Sequence, residues 1–281
     1  MSDTPELPGM PQRLYLASPS RLYAFQSCPR AYRFGYLDRP RPQARPQRAH
    51  TSVGLSVHNV LRDFWDLPAD KRTPQGVREA LRAAWIPVGF RDDGQSARWR
   101  QKVTEEVIDY LRGIDRDAEP RGIERTVSLR TDVLGLTGRV DRIDERGEEL
   151  VIVDYKTSRR PLHPDSARTS LALAFYAAAA SRLLRRPCFE VELHHIPSGE
   201  VIRHRHTAES LDRKLAEADS IARDARRADQ RYADLGPDAP DFAPTPSALC
   251  RWCDYRAHCP EGQREGPEQS DWAALEPDER S

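Results

Sequence analysis

The chain has no apolar run long enough to cross a bilayer, and its mean hydropathy is -0.74, so no membrane span is expected. Its opening residues, MSDTPELPGMPQR, carry neither the basic nor the apolar stretch of a secretory signal, which makes the cytoplasm the expected compartment. Five cysteines in 281 residues are too few for a disulfide scaffold. No Gly-x-x-x-x-Gly-Lys phosphate loop is present, which excludes a helicase motor. No internal repeat is found. Net charge is +0, so the total makes no case for nucleic acid. Hydrophobic residues are 38% and charged residues 31%, which implies a modest core and a highly charged surface. The length suits one large domain or two small ones.

What is present is unevenly placed. Residues 12–48 hold eight Arg and one Asp, whereas residues 261–281 hold seven acids and two Arg. A balanced total therefore hides a basic face. Three of the five cysteines, Cys250, Cys253 and Cys259, fall within CRWCDYRAHCP. Their spacing, x2 then x5, is that of metal ligands, and three thiols are one short of a closed tetrahedral site. Cys28, in the similarly built SCPRAYRF, is the best fourth ligand and would join the two ends of the domain. His258 is an alternative fourth ligand for zinc. Three close cysteines and one distant one favour a [4Fe–4S] cluster over a zinc knuckle, although the spacing admits both. Binding would couple to folding. Cys188 opens a predicted strand and reads as a buried small hydrophobe.

The centre of the chain is TGRVDRIDERGEELVIVDYKT, residues 137–157. Two strands are predicted, over 134–144 and 150–156, around a turn at 145–147 where Gly147 is free to take φ > 0. Side chains alternate along a strand, so Asp154 and Lys156 share one face, and Val153 and Tyr155 share the other. Burying a carboxylate and an ammonium at the end of an apolar strand is costly without a purpose. If the strands pair as a hairpin, Asp141 reaches the same point. Two carboxylates beside a lysine offer hard oxygen ligands suited to Mg²⁺ or Mn²⁺.

The remaining elements frame this hairpin. A short extended piece is expected at 14–16, then a helix capped by Ser18 that runs to Cys28, then a second turn carrying Tyr32, Phe34 and Tyr36 among arginines. Rings interleaved with Arg can stack on bases, but at least two of these belong to the core. Residues 38–48 read as a mobile Pro/Arg loop able to close over an anion. A helix over 54–65 has an apolar stripe, with His58 one residue off it. Helices follow over 74–85 and 97–111, with Glu105, Glu106 and Asp109 expected on the exposed side. A strand is expected over 124–130. Arg159, Arg160 and His163 sit in a loop just past the acidic cluster, in a good position for phosphate contacts. An Ala-rich helix is predicted over 170–186, strands over 189–196 and 201–206, and a long helix from 208 to about 229. Residues 234–246 read as a linker. The pattern is an α/β core.

Taken in order, these motifs resemble the PD-(D/E)XK nuclease superfamily. The subgroup most similar is the RecB-like and AddB-like exonucleases with an iron–sulfur staple, which includes the CRISPR-associated iron–sulfur exonucleases. The resemblance spans roughly residues 14–260. It rests on Ser-Pro-Ser…Cys-Pro, Gly-x-x-x-His, Gly-x-x-Asp, Asp-x-Lys, a helix with a tyrosine, and the C-terminal cysteines. It implies a restriction-endonuclease-like core, a mixed sheet flanked by helices, with a helical insertion at about 66–118. On this reading residues 1–12 are disordered, 13–260 form the nuclease domain, and 261–281 are an unstructured acidic tail. The resemblance makes His58, Asp141 and Asp154 metal ligands, with the carbonyl of Tyr155 as a further one. Lys156 becomes the catalytic lysine, and Cys28, Cys250, Cys253 and Cys259 the cluster ligands. Tyr176 matches a helix motif that usually reads Gln-x-x-x-Tyr, but Ala172 stands at the Gln position. The implied activity is Mg²⁺- or Mn²⁺-dependent DNA cleavage, as an exonuclease on single-stranded ends in repair, recombination or defence, with a helicase or other repair protein as partner. The alternatives are a non-catalytic DNA-binding or assembly subunit and a zinc-stapled interaction module.

Overall fold

Strand β3 (Leu134–Arg146) is the spine of the fold. The structure is a computed structural model and describes residues 13–276. Strand β2 (Gly122–Arg130) runs antiparallel along one edge of β3. The other edge is shared. Strand β1 (Tyr15–Ala17) pairs in parallel with Leu134–Leu136, and β4 (Glu149–Lys156) pairs antiparallel with Arg142–Arg146. Strand β5 (Cys188–His195) lies parallel to β4, and β6 (Glu200–Arg205) closes the sheet antiparallel to β5. The result is a mixed six-stranded sheet. The predicted hairpin forms. Its turn is Gly147 and Glu148, and Gly147 takes φ 63, a conformation cheap only for glycine.

Helices cover both faces. Leu150 and Ile152 of β4 point into a core with the short α6 (Ser166–Thr169), α7 (Leu171–Leu184), α8 (Ala208–Leu235) and α1 (Pro19–Ser27). Val151, Val153 and Tyr155 point into a second core with α3 (Ala49–Asp66), α4 (Pro74–Ala84) and α5 (Asp93–Arg112). Each buried branched side chain contributes about 1.5–3 kcal/mol. Between α7 and α8 the contact is made of small residues. Ala174, Ala177 and Ala180 of α7 and Ala218, Ala222 and Ala225 of α8 are buried in one cluster.

Several boundaries differ from expectation for local reasons. Helix α5 begins at Asp93 because the Asp92 carboxylate caps it, accepting from the Gln95 N–H at 2.6 Å. Helix α8 continues to Leu235, where Gly236 at φ 65 stops it. The supposed linker at 234–246 supplies core: Phe242 is 2% exposed and stacks on Tyr32. The aromatic run of α2 (Pro29–Tyr36) also packs inward, with Tyr32 and Phe34 buried and Tyr36 stacked on Tyr32.

The loop at 38–48 is pinned, not free. Arg45 pairs with Asp271 at 2.8 Å, and its N–H donates to the Asp254 carbonyl. This contact also corrects the expected unstructured tail. Residues 261–276 pack on the domain through α9 (Pro260–Gln263), through Trp272 and through Leu275, which is buried in the second core. The expected disorder at 1–12, and that of the last five residues, falls outside the described residues.

Candidate active site

Asp141 and Asp154 come from neighbouring strands, beside the ladder pair Arg142–Val153. Asp154 and Lys156 share one face of β4, and Lys156 Nζ lies 2.6 Å from Asp154 Oδ2. Tyr155 faces the other way. Its hydroxyl accepts from Trp65 Nε1 at 3.1 Å and from Arg142 Nη1 at 3.2 Å. Its backbone N–H donates to Asp141 Oδ2 at 2.8 Å and so holds that carboxylate in place.

Helix α3 brings in His58. Its Nδ1 lies 3.4 Å from Asp141 Oδ1. Gly54, one turn earlier, explains how the helix comes so close. A Cβ there would sit 3.2 Å from Oγ1 of Thr157, the residue after Lys156. A glycine in the Gly-x-x-x-His segment is therefore a close-approach residue.

Sequence reasoning missed Glu124. It falls on β2 between the ladder pairs Ile123–Arg142 and Arg125–Val140, opposite Asp141, with φ 45. A left-handed conformation costs a non-glycine residue roughly 1–2 kcal/mol, and such strain gathers at functional sites. At this kink Glu124 Oε1 lies 3.9 Å from His58 Nδ1, and Oε2 lies 2.7 Å from Arg139 Nε. Donor atoms of His58, Glu124 and Asp141 all lie within 4.8 Å of one another. In the sequence, ERTVSLR looks like an ordinary strand, and nothing marks the strained residue.

The ionisable groups at this point hold one another's protonation away from its ordinary range. Burial opposes the His58 cation, but hydrogen bonds to Asp141 and Glu124 outweigh it and hold its pKa up at about 10. Burial pushes the Asp154 carboxyl up, and Asp141 adds to this, while Lys156 works against it. Apart from Lys156, nothing among the described residues satisfies the buried Asp154 Oδ2. Carboxylate oxygens with one imidazole nitrogen are a donor set for Mg²⁺ or Mn²⁺. A divalent cation fits here, and it would displace the extra proton from His58.

Tyr176 of α7 lies against β3, where a Cβ on Gly138 would meet its Cε1 at 2.6 Å. Burial, then Asp154 and Asp141, push its hydroxyl up to about 12. Ala172, one turn earlier on α7, offers no polar side chain.

A family model described as PD-(D/E)XK nuclease superfamily matches residues 16–260. The chain belongs to the PD-(D/E)XK nuclease superfamily. Among solved structures it is similar to a "Putative exonuclease" from Eubacterium rectale, with a TM-score of 0.50 and 13% identity, over 84% of this chain and 86% of that one. A second, SSO0001, is also 13% identical, over 90% and 89% of the two chains, with a TM-score of 0.35. No curated protein matches. The mixed sheet flanked by helices is thus the restriction-endonuclease-like fold of this superfamily.

In this PD-(D/E)XK chain the four predicted thiols meet. Cys28, Cys250, Cys253 and Cys259 line one small cavity. Backbone N–H groups of Ser247 and Gly262 donate to Cys250 Sγ and Cys259 Sγ, both at 3.4 Å. His258 is turned elsewhere, with Nε2 3.0 Å from the Gln43 carbonyl, and does not line the cavity. Cys188 is buried in the sheet core, as expected. Glu106, expected on the exposed side of α5, pairs instead with Arg159 at 2.7 Å.

Proposed function

We propose that this chain is a Mg²⁺- or Mn²⁺-dependent deoxyribonuclease, an exonuclease acting on single-stranded ends in repair, recombination or defence. The observation that carries the reading is the meeting of Asp141, His58, Asp154 and Lys156 from three separate segments. Lysine is scarce here. Only four of the 44 cationic Lys and Arg residues are lysines, so one placed 2.6 Å from Asp154 is poorly explained as composition. A lysine ammonium is a compact charge whose proton can be tuned, which an arginine cannot match.

Asp141, Asp154, His58 and Glu124 would hold the divalent ion, with the Tyr155 carbonyl as a further donor. When bound, such an ion lowers the pKa of a water and offsets charge on the scissile phosphate. Lys156 orients the attacking water and stabilises the phosphorane oxygens. The Tyr155 N–H keeps Asp141 in one orientation, and preorganisation of this kind is where much of the catalytic gain lies. Tyr176 lies close enough to both carboxylates to feel their charge and bounds the site on the α7 side.

We assign the four thiols to a [4Fe–4S] cluster that staples the N-terminal and C-terminal segments. Three close cysteines and one distant one favour the cluster over zinc, which the same thiolates could also hold. With no motor motif in this sequence, unwinding would fall to a partner helicase. Ala172, in place of the usual Gln, favours one competing reading, a catalytically weak DNA-binding subunit.

The test is an assay with end-labelled single- and double-stranded DNA, with Mg²⁺ and Mn²⁺ in turn. Metal-dependent release of mononucleotides or short oligonucleotides from the single strand supports the proposal. Binding without cleavage under either metal favours the subunit reading.

A further inference from the structure

A groove of about 1630 Å³ opens beside the candidate active site, between α5, the loop after β4 and the C-terminal segment. It is larger than the roughly 300–1,000 Å³ of a small-molecule site. Lys156 lines it, so it begins where the catalytic cluster ends. Five cationic side chains face it against two carboxylates, Glu106 and Glu276. Glu106 is spent on Arg159 at 2.7 Å, and Glu276 leans to Arg91 at 3.7 Å. Arg98, Lys102 and Arg160 have no carboxylate within 4.0 Å among the described residues. In a chain of zero net charge, three exposed cations in one groove, with no carboxylate partner among the described residues, indicate an anionic occupant.

The walls are also aromatic. Trp99 of α5 stands at one side, with Lys102 Nζ 4.8 Å from its ring centroid. Trp252, between two of the cavity cysteines in sequence, stands at the other. Arg159 Cζ also lies 5.0 Å from the Trp99 centroid and stays tied to Glu106, whereas Lys102 is exposed, so a flat ring can displace Lys102 from the indole at little cost. Indole faces beside phosphate-binding cations are what unstacked bases require, because a duplex keeps its base faces covered.

We infer that this groove is the track for a single strand of DNA. Trp99 and Trp252 are stacking platforms, and Arg98, Lys102 and Arg160 contact phosphates. The strand passes Lys156 on its way to the metal site. The inference rests on the nuclease reading for the chemistry of its ligand but is tested by binding alone.

The experiment is fluorescence anisotropy of labelled oligodeoxythymidine of about 12 nucleotides, a length within the range single-strand grooves cover. The full chain is used without added divalent metal, so no cleavage occurs. Trp99→Ala is expected to weaken binding by about 10-fold, within the range for loss of one stacked base. Trp99→Phe, which keeps most of the packing against the second core, should retain part of that affinity. The exposed pair Arg98→Ala/Lys102→Ala should also weaken binding and reduce the salt slope by about 1.4, at roughly 0.7 per lost phosphate contact. Arg213→Ala/Arg223→Ala, on the exposed side of α8, should change neither. Unchanged affinity and slope in the Arg98/Lys102 variant would overturn the inference, as would equal competition by blunt duplex. If the wild type binds the strand but never cleaves it with metal, the nuclease reading fails and the track stands.

Discussion

The ring of Tyr176 occupies the space that a side chain on Gly138 would need, with Cε1 2.6 Å from the position of a Cβ. Phe175 closes the same space at 3.2 Å. The glycine of the Gly-x-x-Asp motif therefore lets α7 lie close against β3, three residues before Asp141. Gly138→Ala is expected to destabilise the protein by about 1–3 kcal/mol through overpacking. Adding Tyr176→Ala should recover part of that loss, because neighbours that clash couple in a double-mutant cycle. Thermal melting of the four proteins checks it. Strict additivity would contradict the contact.

Glu124 at φ 45 tests the metal site from an unexpected side. Glu124→Gln keeps the shape and removes the charge. Mn²⁺ should raise the Tm of the wild type, and raise that of the variant less at the same concentration, since stabilisation grows with the logarithm of ligand affinity. A fall in affinity of at least about 10-fold is expected, since loss of even an outer-shell partner costs that much. An identical metal-induced shift would remove Glu124 from the site.

The pairing of Lys156 with Asp154 predicts a separation of activity from stability. Lys156→Ala should lower cleavage by about 10²–10³-fold, the scale for one lost charge-stabilising group. Asp154→Asn should lose cleavage yet melt at or above the wild-type temperature, because the buried carboxylate is strained toward its neutral form. Active-site rates and melting curves on the same preparations check both.

His206 sets an acid limit on stability. Its Nδ1 meets Ser210 Oγ at 2.9 Å, and burial, with His204 and Lys214 nearby, lowers its pKa to about 4. Between the ordinary 6.5 and about 4 the unfolded chain takes up a proton that the folded chain refuses. Stability therefore rises with pH through this window and is lost as pH falls, by about 3.4 kcal/mol at most. His206→Gln should flatten that part of the Tm against pH curve. A wild-type minus variant difference that does not change with pH would contradict it.

The hairpin was legible because its physics is local. A β-branched apolar run, a glycine turn and an alternating Asp-Tyr-Lys end mark the strand and its polar face, although the turn falls at 147–148, not 145–147. The four cysteines were legible because thiol spacing is distinctive. Other features depend on contacts distant in sequence. Leu275 finds the second core, Arg45 finds Asp271, and Phe242 finds Tyr32 across about two hundred residues. No window of sequence shows these partners, so tail and linker looked unstructured. Glu124 was hidden for a different reason. Its role comes from a strained backbone angle, which leaves no trace in composition or periodicity.

The most direct measurement is a crystal of the full chain soaked in Mn²⁺, with an anomalous difference map at the manganese edge. The account predicts a peak in coordination contact with Asp141 and Asp154 carboxylate oxygens and the His58 imidazole, with Lys156 beside it. A map with no peak among these side chains, from crystals of protein that still cleaves DNA with Mn²⁺, would contradict it.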